Sequence, residues 1–240
     1  MASLPIVPDE LSQTRVALHR LATYVIAPAR YRVTERFGLR ATAGGFGTPE
    51  FGGRRIRVEG IEIVDESDGS ARRAPITSLA AASTFLGAPI DETTAAEHDS
   101  PPLGDVDEDL GINLEASRWL GEWFRVAFEA LTIVRGDEES VDGSEPQLWP
   151  GHFDPAIEVG DEDHRASYGA SPGDHAITEP YLYVSAWWPD RLTLVRSDEQ
   201  WNAPGFVGRV LPVSEFVAVD DPVATAVDFW RDGRDRLARY

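Results

Sequence analysis

The sequence predicts an α+β fold of mainly antiparallel strands, with helices that cover the sheet faces. Segments of alternating polarity follow one another directly, without the strict strand–helix–strand alternation of a parallel sheet. One order of elements also occurs on both sides of an acidic stretch: long helix, strand, loop, strands and final helix. This order predicts two similar halves packed together and leaves open whether they are a true duplication.

The acidic stretch marks the expected domain division. It has three prolines, few apolar residues and many carboxylates, as is typical of linkers and long surface loops. We therefore predict an N-terminal α+β half over residues 1–88, an acidic linker or surface loop over 89–112, and a C-terminal α+β half over 113–240.

Three segments have the apolar periodicity of long helices. The first spans about 9–26 and is expected to end before Pro28, because proline interrupts a helix. The second spans 114–134 and carries a broad apolar stripe, and the third opens at a proline and spans 222–238. A shorter alanine-rich helix is predicted over 77–86.

Strands are predicted where apolar and polar residues alternate. In the first half these segments are 31–39 and 56–63, with a glycine-rich loop over 43–53 between them and a hairpin turn at 67–69.

In the second half the predicted strands are 153–159, 181–187 and 216–219. A loop rich in glycine and proline is predicted over 168–174.

Composition removes several classes of chemistry. The 240-residue chain contains no cysteine, which excludes disulfides, thiolate nucleophiles, zinc-thiolate sites and iron–sulfur clusters. All 22 basic residues are arginine, so lysine Schiff-base chemistry is excluded as well. A metal would have to be bound by histidine, aspartate and glutamate. The sequence identifies no cofactor and leaves a divalent metal as an open alternative.

Charge and hydropathy limit the expected partners. The formal net charge is −19, and nucleic acid is not an expected partner because a polyanion requires a concentrated basic face. No apolar run approaches the roughly eighteen residues of a membrane span, and residues 1–10 have no signal-peptide pattern, so we expect a soluble, cytoplasmic protein. The single candidate anion site is an arginine-rich stretch: Arg30, Arg32, Arg36, Arg40, Arg54, Arg55 and Arg57.

Residues 152–179 are the segment richest in catalytic residue types, with three of the five histidines among several carboxylates. His152 and Asp154 stand two apart on a predicted strand, which would direct both side chains to one face. Such a pair can share a metal ion or a proton. We predict that both face one cavity with at least one of His164, Tyr168 or His175. In the structural alternative, His152 binds backbone and Asp154 ties a neighbouring loop.

Two further candidate sites involve arginine and aromatic residues. Arg54 and Arg55 follow the glycine-rich loop and are candidates to neutralise an anionic ligand, although alternate arginines on a strand are also typical of a solvated face. A second group of side chains is able to stack on a sugar or a planar ligand, or to belong to the core: Tyr181, Tyr183, Trp187, Trp188 and Trp201.

The order of these motifs resembles that of a family of uncharacterised bacterial proteins known as a domain of unknown function. The resemblance rests on segments 38–42, 61–64 and 67–69, a tryptophan-bearing helix, and the Trp-Pro-Gly-His-Phe-Asp-Pro-Ala segment at 149–156. It implies a fold of two α+β halves and transfers no catalytic residue.

Two functional hypotheses follow from these observations. The leading one is a non-catalytic domain that binds a small molecule or a partner through its aromatic and loop surface. The alternative is a metal-assisted, hydrolase-like enzyme that uses His152, Asp154 and nearby histidines and carboxylates.

Overall fold

A computed structural model describes residues 3–93, 95, 100–188, 199–215 and 219–239. The chain forms two compact units, which we call the N-terminal unit (Val7–Arg125 and Leu148–Phe153) and the C-terminal unit (Met1–Ile6, Val126–Gln147 and Asp154–Tyr240). The division into 1–88, 89–112 and 113–240 stays a prediction. Within the described residues, no helix has the length and apolar character needed to cross a membrane.

The predicted α+β class is confirmed, because the described residues form two antiparallel sheets with helices. The first sheet has the order β1-β2-β3-β4-β5, formed by Arg40–Thr42, Gly45–Gly47, Arg54–Glu59, Glu62–Ser67 and Ser70–Pro75. The predicted turn at 67–69 is confirmed. Asp68 and Gly69, with φ of 51° and 74°, join β4 to β5 in the positive-φ conformation that such two-residue hairpins favour.

The first helical region continues beyond its expected end. It comprises α1 (Leu11–Leu21), a π-helical segment (Ala22–Ile26) and α2 (Ala27–Thr34). Pro28 therefore lies inside the helical region. The strand predicted over 31–39 is wrong in its first part, because residues 31–34 are helical. The carbonyl of Tyr24, four residues before Pro28, accepts a hydrogen bond from the backbone N–H of Asp91 at 3.0 Å. The wider π turn and this loop donor accommodate a proline that cannot donate.

The predicted loop over 43–53 contains a strand instead, β2. A Cβ atom on Gly45 or Gly47 would overlap the backbone of β3. A Cβ on Gly121 would lie 2.8 Å from the backbone nitrogen of Gly45. These glycines are required because backbones approach closely here, and not for loop flexibility. A single sequence does not distinguish these two roles of glycine.

The predicted helices over 77–86 and 114–134 are confirmed as α3 (Leu79–Leu86) and α4 (Leu114–Arg135). In the N-terminal unit, Phe124 of α4 packs edge-on against Phe46 of β2 and against Phe153. His19 of α1 stacks on Phe153 with ring centroids 5.2 Å apart. A buried histidine is thus part of the aromatic core.

The second sheet has the order β10-β9-β8-β7-β6, formed by Gly208–Pro212, Tyr181–Ala186, Ala166–Ser171, Asp154–Val159 and Gln147–Trp149. The strands predicted at 153–159 and 181–187 are confirmed as β7 and β9. The loop predicted over 168–174 is wrong in its first part, because residues 168–171 belong to β8. Apart from Val219, the strand predicted at 216–219 lies outside the described residues.

The terminal helix α5 (Pro222–Leu237) confirms the last predicted helix and covers one face of the second sheet. Its N-cap, Asp221, accepts a hydrogen bond from the backbone N–H of Ala224. A Cβ on Gly233 would lie 2.7 Å from a methyl group of Val184 in β9, so glycine is needed for this close approach. Trp230 Nε1 also donates to the carbonyl of Tyr183 at 3.1 Å.

His19 gives the N-terminal unit a pH-dependent contact. Its Nε2 lies 2.8 Å from the carbonyl oxygen of Pro150 and 3.2 Å from that of Gly151, so Nε2 donates. Burial lowers the pKa of His19 to about 4 despite these acceptors, and Arg15 and His152 act in the same direction. The folded protein therefore favours the neutral ring.

We predict that His19 makes unfolding pH-dependent between pH 6.5 and about 4. Its folded-state pKa lies below its unfolded value, so its contribution is complete above pH 6.5 and decreases as the pH falls toward 4. Between pH 7 and about pH 4.5, the free energy of unfolding should fall by about 2 to 3 kcal/mol more in the wild type than in His19→Gln. Urea titrations at both pH values measure this difference.

His164→Gln is the matched control, because His164 is exposed. That variant should keep the wild-type pH dependence. An equal loss of stability in wild type and His19→Gln over this interval would contradict the prediction.

Candidate functional site

The structure places His152 and Asp154 in different local environments. His152 is exposed in the turn that precedes β7, whereas Asp154 is the first residue of β7 and is 5% exposed. The prediction that strand alternation directs both to one face is therefore wrong, since the strand begins only at Asp154. Their joint role as a ligand pair stays a prediction.

The other predicted residues of this segment are spread out. His164 is exposed, and its Nδ1 lies 2.9 Å from Oδ1 of Asp161. His175 is also exposed, in the loop after β8. Tyr168 is 1% exposed, and burial raises the pKa of its phenol. By strand alternation it lies on the face of β8 opposite that of Gly169 and Ser171.

Arg54 and Arg55 are engaged within the first sheet. Arg54 forms a two-point contact with Asp65, with Nε to Oδ1 at 2.7 Å and Nη2 to Oδ2 at 3.1 Å. Arg72 also binds Asp65. Burial alone would raise the pKa of Asp65, but the two arginines outweigh it and lower that pKa. The exposed Arg55 pairs with Glu66 at 3.7 Å, and a role in anion binding stays a prediction for both arginines.

The second sheet brings together a different set of polar side chains. Strand register places Gly169 opposite Tyr183 and Ser171 opposite Tyr181, and it pairs Ala156 of β7 with Gly169. Residues of the same parity share a face. We call the resulting set of mostly buried residues the tyrosine–aspartate face, formed by Asp154, Gly169, Ser171, Asp174, Tyr181 and Tyr183.

The contact between Tyr183 and Asp154 is the central one on this face. The hydroxyl of Tyr183 donates to Oδ2 of Asp154 at 2.5 Å, within the range of charge-assisted bonds. Tyr183 is able to cross β8 because its neighbour is glycine: a Cβ on Gly169 would lie 2.5 Å from the phenol oxygen. Glycine at 169 is thus part of the site.

A second tyrosine–carboxylate pair lies beside the first. Tyr181 donates its hydroxyl proton to Oδ2 of Asp174 at 2.6 Å, and the Tyr181 and Tyr183 rings are 6.2 Å apart. Asp174 is fixed by the loop after β8, because its Oδ1 accepts from the backbone N–H groups of Ala176 and Ile177. The carboxylates are thus held in place by the sheet and the loop.

Electrostatics determine which hydrogen-bonding groups this face offers. Burial, followed by the contact with the neighbouring carboxylate, raises the pKa of both Tyr181 and Tyr183, so both phenols stay protonated at neutral pH. Burial alone would raise the pKa of Asp174, but hydrogen bonds from Tyr181, Ile177 and Ala176 lower it. Each phenol proton is directed at a carboxylate. The remaining phenol lone pairs can only accept hydrogen bonds.

The same face continues to an exposed aromatic side chain. Trp187, which is 41% exposed, follows β9, and its Nε1 donates to the hydroxyl of Ser167 at 3.0 Å. The guanidinium of Arg165 lies 5.1 Å from the centre of the Trp187 ring and pairs with Glu158 at 3.1 Å. The indole is therefore held in a fixed orientation and remains accessible.

Comparison of the chain with protein-family models, curated proteins and solved structures gives no match. The resemblance to a family of unknown function stays a prediction. Among the described residues, no group of three or more histidines, aspartates and glutamates is arranged to hold a metal ion.

Sequence reasoning found only part of this site. The alternation of Tyr181 and Tyr183 indicated a stacking surface, and Asp154 was singled out for a different partner. The pairing of Asp154 with Tyr183 spans 29 residues and depends on the order of β7, β8 and β9. From the sequence alone, Gly169 indicates a loop. It indicates close packing only when the order of β7, β8 and β9 is known.

We predict that Tyr183 and Asp154 stabilise the C-terminal unit as a coupled pair. In a double-mutant cycle of Tyr183→Phe and Asp154→Asn, the coupling energy should be about 1 to 3 kcal/mol, as expected for a hydrogen bond to a buried charged group. Chemical denaturation of the four proteins measures it. Tyr31→Phe is the control, since the described residues provide no hydrogen-bond partner for that hydroxyl. Additive effects of the two substitutions would contradict the assignment.

Proposed function

We propose that the C-terminal unit binds a small polyhydroxylated ligand, such as a sugar, on the tyrosine–aspartate face. The observation that supports this most directly is the pair of phenols whose protons are directed at Asp154 and Asp174. Such a surface accepts hydrogen bonds and suits a ligand rich in hydroxyl donors. Two fixed carboxylates disfavour an anionic ligand by charge repulsion.

Shape and composition support the same class of ligand. Aromatic rings stand along β9, and Phe206 lies against Tyr183 with centroids 6.4 Å apart. Trp187 extends this aromatic row to the exposed end of the face. Aromatic faces pack against the apolar C–H surfaces of a sugar ring, while carboxylates and phenols bind its hydroxyls.

The test is titration calorimetry of the full-length protein with neutral monosaccharides, disaccharides and inositol. We expect saturable binding of at least one of these compounds. Trp187→Ala should weaken that binding by about three- to tenfold, corresponding to the loss of one stacking partner. Tyr183→Phe should weaken it as well, because the fixed acceptor is removed.

Trp188→Ala is the matched control, since Trp188 is 44% exposed and is not one of the residues that form the tyrosine–aspartate face. It should leave the affinity unchanged. Equal weakening by Trp188→Ala and Trp187→Ala would contradict the assignment to this face. Saturable binding of a diamine, without binding of any neutral polyol, would contradict the proposed ligand class.

A further inference from the structure

The N-terminal unit contains a buried guanidinium without a counter-ion among the described residues. Arg30 lies in α2 and is 8% exposed. Its Nη1 donates to the carbonyl of Gly38, whereas its buried Nε has no hydrogen-bond partner in the described part of the chain. Burial lowers the pKa of Arg30, and Arg36 lowers it further. A buried cation beside a second cation is costly unless an anion compensates it.

Most arginines of the arginine-rich stretch pair with carboxylates within the fold. The buried Arg30 differs from them because it has no such partner among the described residues. Arg32 binds Asp91 at 2.6 Å, and Arg57 binds Glu59 at 2.6 Å and Glu66 at 2.9 Å. Arg54 and Arg55 are paired as described above. Within the described residues, Arg30, Arg36 and the exposed Arg40 have no carboxylate partner, and of these three only Arg30 is buried. The protein has a net charge of −19, so a general lack of carboxylates does not explain this.

Local structure explains how Arg30 becomes buried. The helix ends at Glu35, whose left-handed backbone, with φ of 56°, reverses the chain direction. The reversal brings the carbonyl of Gly38 to Nη1 of Arg30 and places the exposed Arg36 close enough to lower the Arg30 pKa. Leu39 then pairs with Leu148 of β6.

Tyr31 and Phe37 directly follow the two arginines in the chain, and the Phe37 ring lies near two other half-buried rings. Phe37 lies 6.1 Å from Tyr31 and 6.1 Å from Trp149, measured between ring centroids. All three rings are partly exposed. We call this group the Arg30 cluster: Arg30, Tyr31, Arg36, Phe37 and Trp149.

We propose that the Arg30 cluster binds an oxyanion, a phosphate or a carboxylate, carried on an aromatic or planar ligand. The Arg30 guanidinium, held in place through Nη1 by the carbonyl of Gly38, supplies the inner positive charge, and Arg36 closes on the anion from the exposed side. Guanidinium groups bind both kinds of oxyanion with paired hydrogen bonds. The aromatic rings supply an apolar surface for the planar part. This site lies in the other unit and uses opposite charge, so it does not depend on the tyrosine–aspartate face.

The test is binding of phenyl phosphate, benzoate and inorganic phosphate to the full-length protein. The Nε–H resonance of Arg30 in a ¹H–¹⁵N spectrum, assigned by its loss in Arg30→Gln, reports anion binding at this guanidinium. We expect a saturable shift with phenyl phosphate or benzoate at lower concentration than with inorganic phosphate. The tighter of the two aromatic probes identifies the oxyanion as phosphate or carboxylate.

Variants separate this site from general charge attraction. Arg36→Gln, at an exposed position, should weaken binding by about tenfold, the loss of one charge-assisted contact. Arg55→Gln removes one exposed positive charge elsewhere in the same unit and should leave the affinity unchanged. Arg30→Gln keeps a donor for Gly38 and should abolish binding in calorimetry while the protein stays folded. Absence of any saturable shift, or equal weakening by Arg36→Gln and Arg55→Gln, would overturn the proposal.

Discussion

The charge arrangement of the N-terminal unit depends on a helical region that continues through Pro28. This proline lacks the N–H that an α-helix needs, yet the helical region continues to Thr34 because a π turn precedes it and Asp91 donates to Tyr24 instead. The extra turns carry Arg30 into a buried position and Arg32 to Asp91. A helix that stopped before Pro28 would provide neither contact. The continuation of the helix past Pro28 thus determines where the positive charges of this segment lie.

In the C-terminal unit, strand alternation separates two kinds of surface. One face of the second sheet presents Leu182 and Val184 to α5, and Gly233 allows the helix to approach closely. The opposite face gathers phenols and carboxylates, and Gly169 makes room for a phenol there. Two glycines therefore allow close packing on opposite faces of one sheet, because neither has a Cβ. The helix covers one face, and on the other face Asp154, Ser171 and Tyr181 are themselves at most 6% exposed.

The sequence predicted elements well where the signal is local. Periodicity located α4 and α5, and the Asp68–Gly69 turn located a hairpin, because helix stripes and positive-φ turns are properties of neighbouring residues. It failed where the cause is distant. The loop predicted over 168–174 overlaps the end of β8, because Gly169 and Ser171 are suited to their partners across the sheet. The helical extension past Pro28 depends on a donor more than sixty residues away.

For the candidate sites, the sequence is limited in the same way, because it does not show which charged groups pair with each other. Composition gave the sign and number of charged groups, but pairing decides which of them remain for a ligand. Asp65 is neutralised by two arginines within its own sheet, whereas Arg30 meets a backbone carbonyl. The charge of a buried ion is compensated by an opposite charge, but only partly by a neutral dipole. That distinction, rather than the density of charged residues along the chain, separates the structural ion pairs of the arginine-rich stretch from the guanidinium proposed to bind a ligand.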